Sequence, residues 1–138
     1  SAVNVTDDFE TAFFKILLEK IEPELKKERA VFLYDYPPSQ AALAKIKGNR
    51  AKRFELYIDG IELCNAFLEE TDPIENRTRI QETNRKRQVL KKPIAYEDES
   101  FYSAIEAIKG KTYCGNALGF DRWLSILMGD SGLKRINN

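Results

Sequence analysis

Glu55 and Glu62 lie on either side of Asp59-Gly60 in the stretch Arg53-Phe-Glu-Leu-Tyr-Ile-Asp-Gly-Ile-Glu-Leu-Cys-Asn-Ala-Phe-Leu-Glu69. Two carboxylates brought together in this way could hold a hard cation. Asp-Gly is a favoured two-residue turn because both positions tolerate positive φ, and the apolar and aromatic runs around it predict a β-hairpin. With those two residues as the loop, Ile58 faces Ile61 and Tyr57 faces Glu62. Glu55, Tyr57, Asp59 and Glu62 then share one face, and Phe54, Leu56 and Ile58 the other. Glu55 and Glu62 become diagonal neighbours, roughly 7–8 Å apart at the backbone. Such oxygen ligands suit Mg²⁺, which takes one or two carboxylates and completes its shell with water and substrate phosphates. The pair fits an ordinary solvated strand face equally well, because an exposed Glu needs no ligand.

Asn65, Phe67 and Glu69 alternate with one another but have the opposite parity to Glu62. For all four to face one pocket the strand needs an extra residue, so a β-bulge is predicted between Glu62 and Asn65. Further along, the small residues at 115, 117 and 119 would let a backbone approach a ligand closely. A helix starting near Gly119 would present its N-terminal amides beside them. From the residue pattern alone, Arg122 in this turn is as readily structural as catalytic.

The 138 residues are the length of one domain, and a single domain over 1–138 is expected. Lys plus Arg equals Asp plus Glu at 22 each, so bulk charge argues for no nucleic-acid or membrane partner. Two cysteines, Cys64 and Cys114, and no histidine exclude a disulfide framework, a four-ligand zinc site and any His-based triad. There is no run of 18 apolar residues and no basic-then-apolar leader, which predicts a soluble, cytoplasmic protein.

The elements that must position these residues follow from spacing. Thr6, Asp7 and Asp8 are N-cap candidates for an amphipathic helix with Phe9, Phe13, Ile16, Leu17 and Ile21 on its core face, running toward Pro23, and 24–29 reads as a charged connection. The β-branched and aromatic run 31–36, stopped by Pro37-Pro38, predicts a strand, and 39–47 is weakly helical. The basic run 45–53 reads as a solvated loop or a phosphate-attracting one. Asp72-Pro-Ile-Glu75 starts a polar helix reaching Leu90, whose basic far half is either a solvated face or an RNA-contacting one. A shorter helix from 98 or 99 to 109 would bury Phe101, Ala104, Ile105 and Ile108 before Gly110 ends it.

In order and spacing, the Glu-bearing hairpin followed by Gly115-Asn-Ala-Leu-Gly-Phe-Asp-Arg122 resembles the C-terminal half of a class II lysyl-tRNA synthetase catalytic domain, the second segment matching its motif 3. Tyr34-Asp-Tyr-Pro-Pro-Ser-Gln-Ala-Ala-Leu-Ala44, Gly60-Ile-Glu-Leu-Cys-Asn65 and Glu70-Thr-Asp72 are similar to the truncated paralogues that attach a lysine-type amino acid to elongation factor P. The resemblance implies an α+β fold, an antiparallel sheet flanked by helices. It implies ATP and Mg²⁺ held by Glu55 and Glu62, with Arg122 as the catalytic, ATP-contacting arginine beside Gly119. It further implies that Asn65, Phe67 and Glu69 line the amino-acid pocket, the Glu69 carboxylate meeting the substrate's side-chain ammonium. Ala117 stands where lysyl-tRNA synthetases generally have Gly, at a place that selects β-lysine over α-lysine.

The implied partners are lysine or β-lysine and elongation factor P, with tRNA the alternative acceptor if the parent is a true lysyl-tRNA synthetase. A non-catalytic RNA- or protein-binding module on the same scaffold is the reading of a different class. Motif 1 and motif 2 would lie upstream of residue 1. Arg53-Phe-Glu55 spells the Arg-x-Glu of motif 2, but motif 2 strands are joined by a longer loop than Asp59-Gly60. The 138 residues are therefore expected to be inactive alone and monomeric, the parent homodimeric.

Overall fold

The computed structural model describes residues 3–129. Its sheet runs in the order β1 (Ala30–Tyr36), β3 (Arg50–Ile58), β4 (Ile61–Leu68) and β5 (Cys114–Leu118), with β2 (Ile46–Lys47) paired antiparallel to β3. The fold is α+β, an antiparallel sheet with flanking helices. The described residues fall into two compact units, one made of 3–35, 54–66 and 116–129 and the other of 36–53 and 67–115. Among the described residues no helix is long and apolar enough to cross a membrane.

The first unit opens with α1 (Phe9–Ile16), capped by the Asp8 carboxylate, which accepts from the Thr11 N–H at 2.8 Å. The helix does not stop at Pro23. It continues as a π-helical turn, Leu17–Ile21, into α2 (Glu22–Leu25). Pro23 is tolerated because it occupies the first turn of α2, and the wide turn before it leaves room for its ring.

The aromatic stripe of α1 is not a core face: no α1 residue is fully buried, and Phe9 is 62% exposed. The rings pack on one another instead, Phe9 with Phe13 at 6.4 Å and Phe13 with Phe14 at 5.4 Å. Period places apolar residues on one side of a helix; it does not supply the surface that covers them. The hairpin turn is as expected, with Asp59 at φ 49 and Gly60 at φ 75, the pair of positive values a two-residue hairpin loop requires. Space also demands glycine at 60, where a Cβ would overlap the Lys26 side chain.

In the second unit, 39–47 is not helical. A single 3₁₀ turn, Pro38–Gln40, is followed by a bridge between Ala44 and Glu69 and then by β2. Nor is the basic run a loop: Ile46 pairs with Ala51 and Lys47 with Arg50 across Gly48 and Asn49. Lys47 and Arg50 take the exposed positions and Ala51 is fully buried, so the strand alternation was present but masked by charge.

Helix α3 (Pro73–Val89) starts where expected, with Asp72 Oδ1 accepting from the Ile74 N–H at 2.9 Å. Arg77, Arg79 and Arg87 are internal ties. Arg77 makes two hydrogen bonds to Glu99, at 2.8 and 2.7 Å, and lies 3.9 Å from the centre of the Tyr102 ring. Arg79 donates to Ala44 O at 2.6 Å and to Glu75 at 2.8 Å, and Arg87 donates to Pro93 O. Glu99 and Tyr102 are three residues apart on α4 (Glu99–Ala107), so this tie sets the helix's rotation. Tyr102 is therefore its buried residue, while Phe101, Ile105 and Ile108 are half-buried and Ala104 is exposed.

Candidate active site

Glu55 is only 8% exposed, which removes the solvated-face reading. Both its oxygens are engaged: the Tyr57 hydroxyl donates to Oε2 at 2.9 Å and Asn65 Nδ2 donates to Oε1 at 3.2 Å. Uninterrupted pairing from the Asp59-Gly60 turn would set Cys64 opposite Glu55 and send Asn65 to the other face. The Asn65–Glu55 bond and the successive burial of Leu63 and Cys64 are consistent with a parity change between Glu62 and Asn65. Burial, and then the bond to Glu55 and the charges of Glu55, Glu62 and Glu22, push the Tyr57 hydroxyl well above the ordinary tyrosine range. Tyr57 therefore remains a donor to Glu55 at any physiological pH.

Asn65 Oδ1 is buried and has no hydrogen-bond partner among the described residues. A buried acceptor in this state is costly unless a ligand brings the donor.

Arg122 stands in the first turn of α5 (Phe120–Met128). The helix start is hung on β4 by the Gly119 N–H, which donates to Leu63 O at 2.9 Å. Arg122 Nη1 reaches Glu62 twice, the carbonyl oxygen at 2.7 Å and Oε2 at 3.3 Å. Gly119 leaves space for this, since a Cβ there would come within 3.1 Å of Arg122 Cδ. Side-chain exposures of 50% and 35% make the Arg122–Glu62 pair a weak one that a phosphate can displace. Ala117 lies exposed on β5.

Glu55, Asn65, Glu62, Gly119 and Arg122 thus belong to one neighbourhood, joined through Tyr57, which feels the charges of both acids. Among the described residues no group of three or more acids or cysteines could enclose a metal. Two carboxylates are what Mg²⁺ takes when substrate phosphates supply the remainder, so the donor set fits that ion.

In the second unit, the Glu69 backbone is pinned on both flanks, its N–H donating to Tyr113 O at 2.9 Å and its other side bridged to Ala44. Burial alone raises the Glu69 pKa, and no cation pairs with this carboxylate among the described residues. Phe67 stacks under the Arg53 guanidinium at 5.4 Å. Arg53 also lies 4.3 Å from the Tyr36 ring centre and donates to Gln40 O at 2.7 Å. A cleft of about 460 Å³ opens beside Arg53, lined by Gln40, Arg79 and Glu82 among others, and neither Phe67 nor Glu69 lines it.

Tyr57 and Arg53 make contacts that spacing did not assign. The signal for Tyr57 was its shared parity with Glu55; that for Arg53 was hidden in the basic run.

Residues 2–137 match the family described as tRNA synthetases class II (D, K and N). The chain belongs to the class II tRNA synthetases. Among curated members with which this class II chain aligns, it is 41% identical over 121 residues to a protein of Avibacterium paragallinarum named elongation factor P–(R)-β-lysine ligase, covering 85% of the chain and 36% of that relative. It is 36% identical over 140 residues to the protein of the same name from Hamiltonella defensa, covering 96% and 42%. With a homologue of that ligase from Aquifex aeolicus it shares 39% identity over 127 residues, covering 92% and 40%. The class II chain therefore spans about two-fifths of the length of the curated relatives it matches.

Proposed function

We propose that the parent of this chain uses ATP to activate a lysine-type amino acid, β-lysine in the first instance, and transfers it to a lysine of elongation factor P. One observation carries the substrate class: burial raises the Glu69 pKa and no cation among the described residues offsets this carboxylate, a partner that a substrate ammonium would supply. The relatives' names support the same acceptor and amino acid.

In the first step a carboxylate oxygen of the amino acid bonds to the α-phosphorus of ATP, the bond to the bridging oxygen breaks, and pyrophosphate leaves. In the second, the acceptor lysine's neutral amine attacks the acyl carbon, an amide forms, AMP departs with the electron pair, and the amine loses a proton to solvent. Glu55 and Glu62 would hold Mg²⁺, which neutralises phosphate charge when bound. Tyr57 and Asn65 keep Glu55 aimed, while Arg122 exchanges its bond to Glu62 for one to phosphate as charge builds. Phe67 would meet the substrate's methylenes, and Ala117 would act on the α/β preference. No step requires an imidazole, so the absence of histidine is no obstacle.

The test is ATP–pyrophosphate exchange by the full-length parent with α- and β-lysine, followed by mass detection of the acyl group on elongation factor P. Exchange with neither amino acid would sink the proposal. In the same assay the 138-residue chain alone is expected to bind ATP weakly and to give no exchange. Ala117→Gly in the parent is expected to move the α/β preference by about 5- to 150-fold, the ~1–3 kcal/mol that one methyl is worth in a fitted pocket. An unchanged preference would remove Ala117 from the specificity set.

A further inference from the structure

We infer that Gly115 is a positioning residue whose missing side chain makes room for the Glu69 carboxylate, holding it where a substrate ammonium is received. The ammonium role rests on the function proposed above; the positioning itself does not. Small residues at 115, 117 and 119 suggest a backbone that lets a ligand come close, but at 115 the group that comes close is the protein's own acid. A Cβ built on Gly115 would overlap Glu69 Oε1 and stand 3.2 Å from Cδ and 3.8 Å from Cγ.

The backbone cannot relieve this overlap. Glu69 N–H donates to Tyr113 O at 2.9 Å, its other flank bridges to Ala44, and the next residue's N–H donates to Leu43 O at 2.9 Å. Gly115 lies two residues beyond Tyr113, making it the diagonal neighbour of Glu69 on the same face of the pairing. What can move is the far end of the Glu69 side chain. A methyl group at 115 would therefore leave the strands in place and turn the carboxylate away, and the identity of this residue acts on recognition more than on folding. The backbone geometry requires no glycine here, since Gly115 is not among the residues with positive φ. The requirement is for space alone.

The experiment compares wild type, Gly115→Ala, Glu69→Gln and Gly115→Ala/Glu69→Asp in the full-length parent. The Glu69 side-chain carboxyl is titrated by ¹³C NMR, and binding of lysine and β-lysine is followed by chemical-shift perturbation. Gly115→Ala is expected to keep the wild-type circular dichroism and Tm while the Glu69 titration falls back toward the ordinary carboxylate range, because the group has left its buried place. Amine binding should drop at least tenfold.

A Glu69 titration identical in Gly115→Ala and wild type overturns the inference. If the single variant fails to fold, the double variant decides. Shortening the acid by one methylene should restore folding if the overlap is the cause, and failure of both alike overturns the assignment. Should Glu69→Gln bind the amines as tightly as wild type, the ammonium role falls, and the titration alone still decides whether Gly115 positions Glu69.

Discussion

Glu69→Gln in the full-length parent is expected to weaken recognition of lysine-type substrates by roughly 30-fold to a few thousand-fold, the ~2–5 kcal/mol lost when one partner of a desolvated charge pair is removed. Gln preserves the shape and hydrogen-bonding reach of the side chain and deletes only the charge, so a steric account predicts little change. Burial holds the Glu69 pKa above its usual value, and amine binding requires the ionised acid. Wild-type affinity should therefore fall as pH drops through that raised pKa, while the Gln variant stays flat across the same window.

The stability consequence has the opposite sign. A carboxyl whose folded pKa is raised contributes most below its unfolded pKa, where both states are protonated, and that contribution is lost as pH rises through the folded pKa. The Gln variant should thus be the more stable protein at neutral pH, with the difference vanishing in acid, as measured by urea unfolding at several pH values. A neutral-pH loss of stability in Glu69→Gln would mean that an unrecognised cation already pairs with the acid. Gained stability with lost recognition is the expected mark of a residue kept for binding.

Arg122→Ala is expected to reduce ATP–pyrophosphate exchange by the parent about 10²- to 10³-fold, the usual cost of removing one donor aimed at developing charge. The fold should hardly notice. The Arg122–Glu62 pair is half-exposed, and such pairs are worth about 0–1 kcal/mol. Lys at 122 should rescue poorly, because a point charge lacks the planar fork that can bond a backbone carbonyl, a carboxylate or two phosphate oxygens together. Full rescue by Lys would show that only net charge matters at this position. An exchange rate unchanged in Arg122→Ala would reduce the residue to its structural bonds with Glu62.

The comparison of Glu55 with α1 shows which kinds of information sequence carries. The hairpin was legible because its cause is local: Asp59 and Gly60 accept positive φ, and the two-residue period then assigns every neighbour to a face. The start of α3 was legible for the same reason, since Asp72 and Pro73 act within one turn.

The stripe on α1, the rotation of α4 and the β2–β3 pairing were not legible, because each is settled by what lies opposite. Phe9 has the period of a core residue and no cover; Arg77 turns α4 so that Tyr102, not Phe101, is buried. Lys47 and Arg50 disguise a strand by occupying its exposed positions.

By itself the sequence determined which residues are candidates for chemistry and on which strand or helix each rides, since spacing and turn chemistry act over a few residues. Tertiary structure alone decided their state: Glu55 buried and held by Tyr57 and Asn65, Arg122 resting on Glu62, Glu69 fitted against Gly115. The reason is physical. Burial, hydrogen-bond satisfaction and pKa depend on atoms brought together from distant parts of the chain, and no local pattern encodes that surrounding.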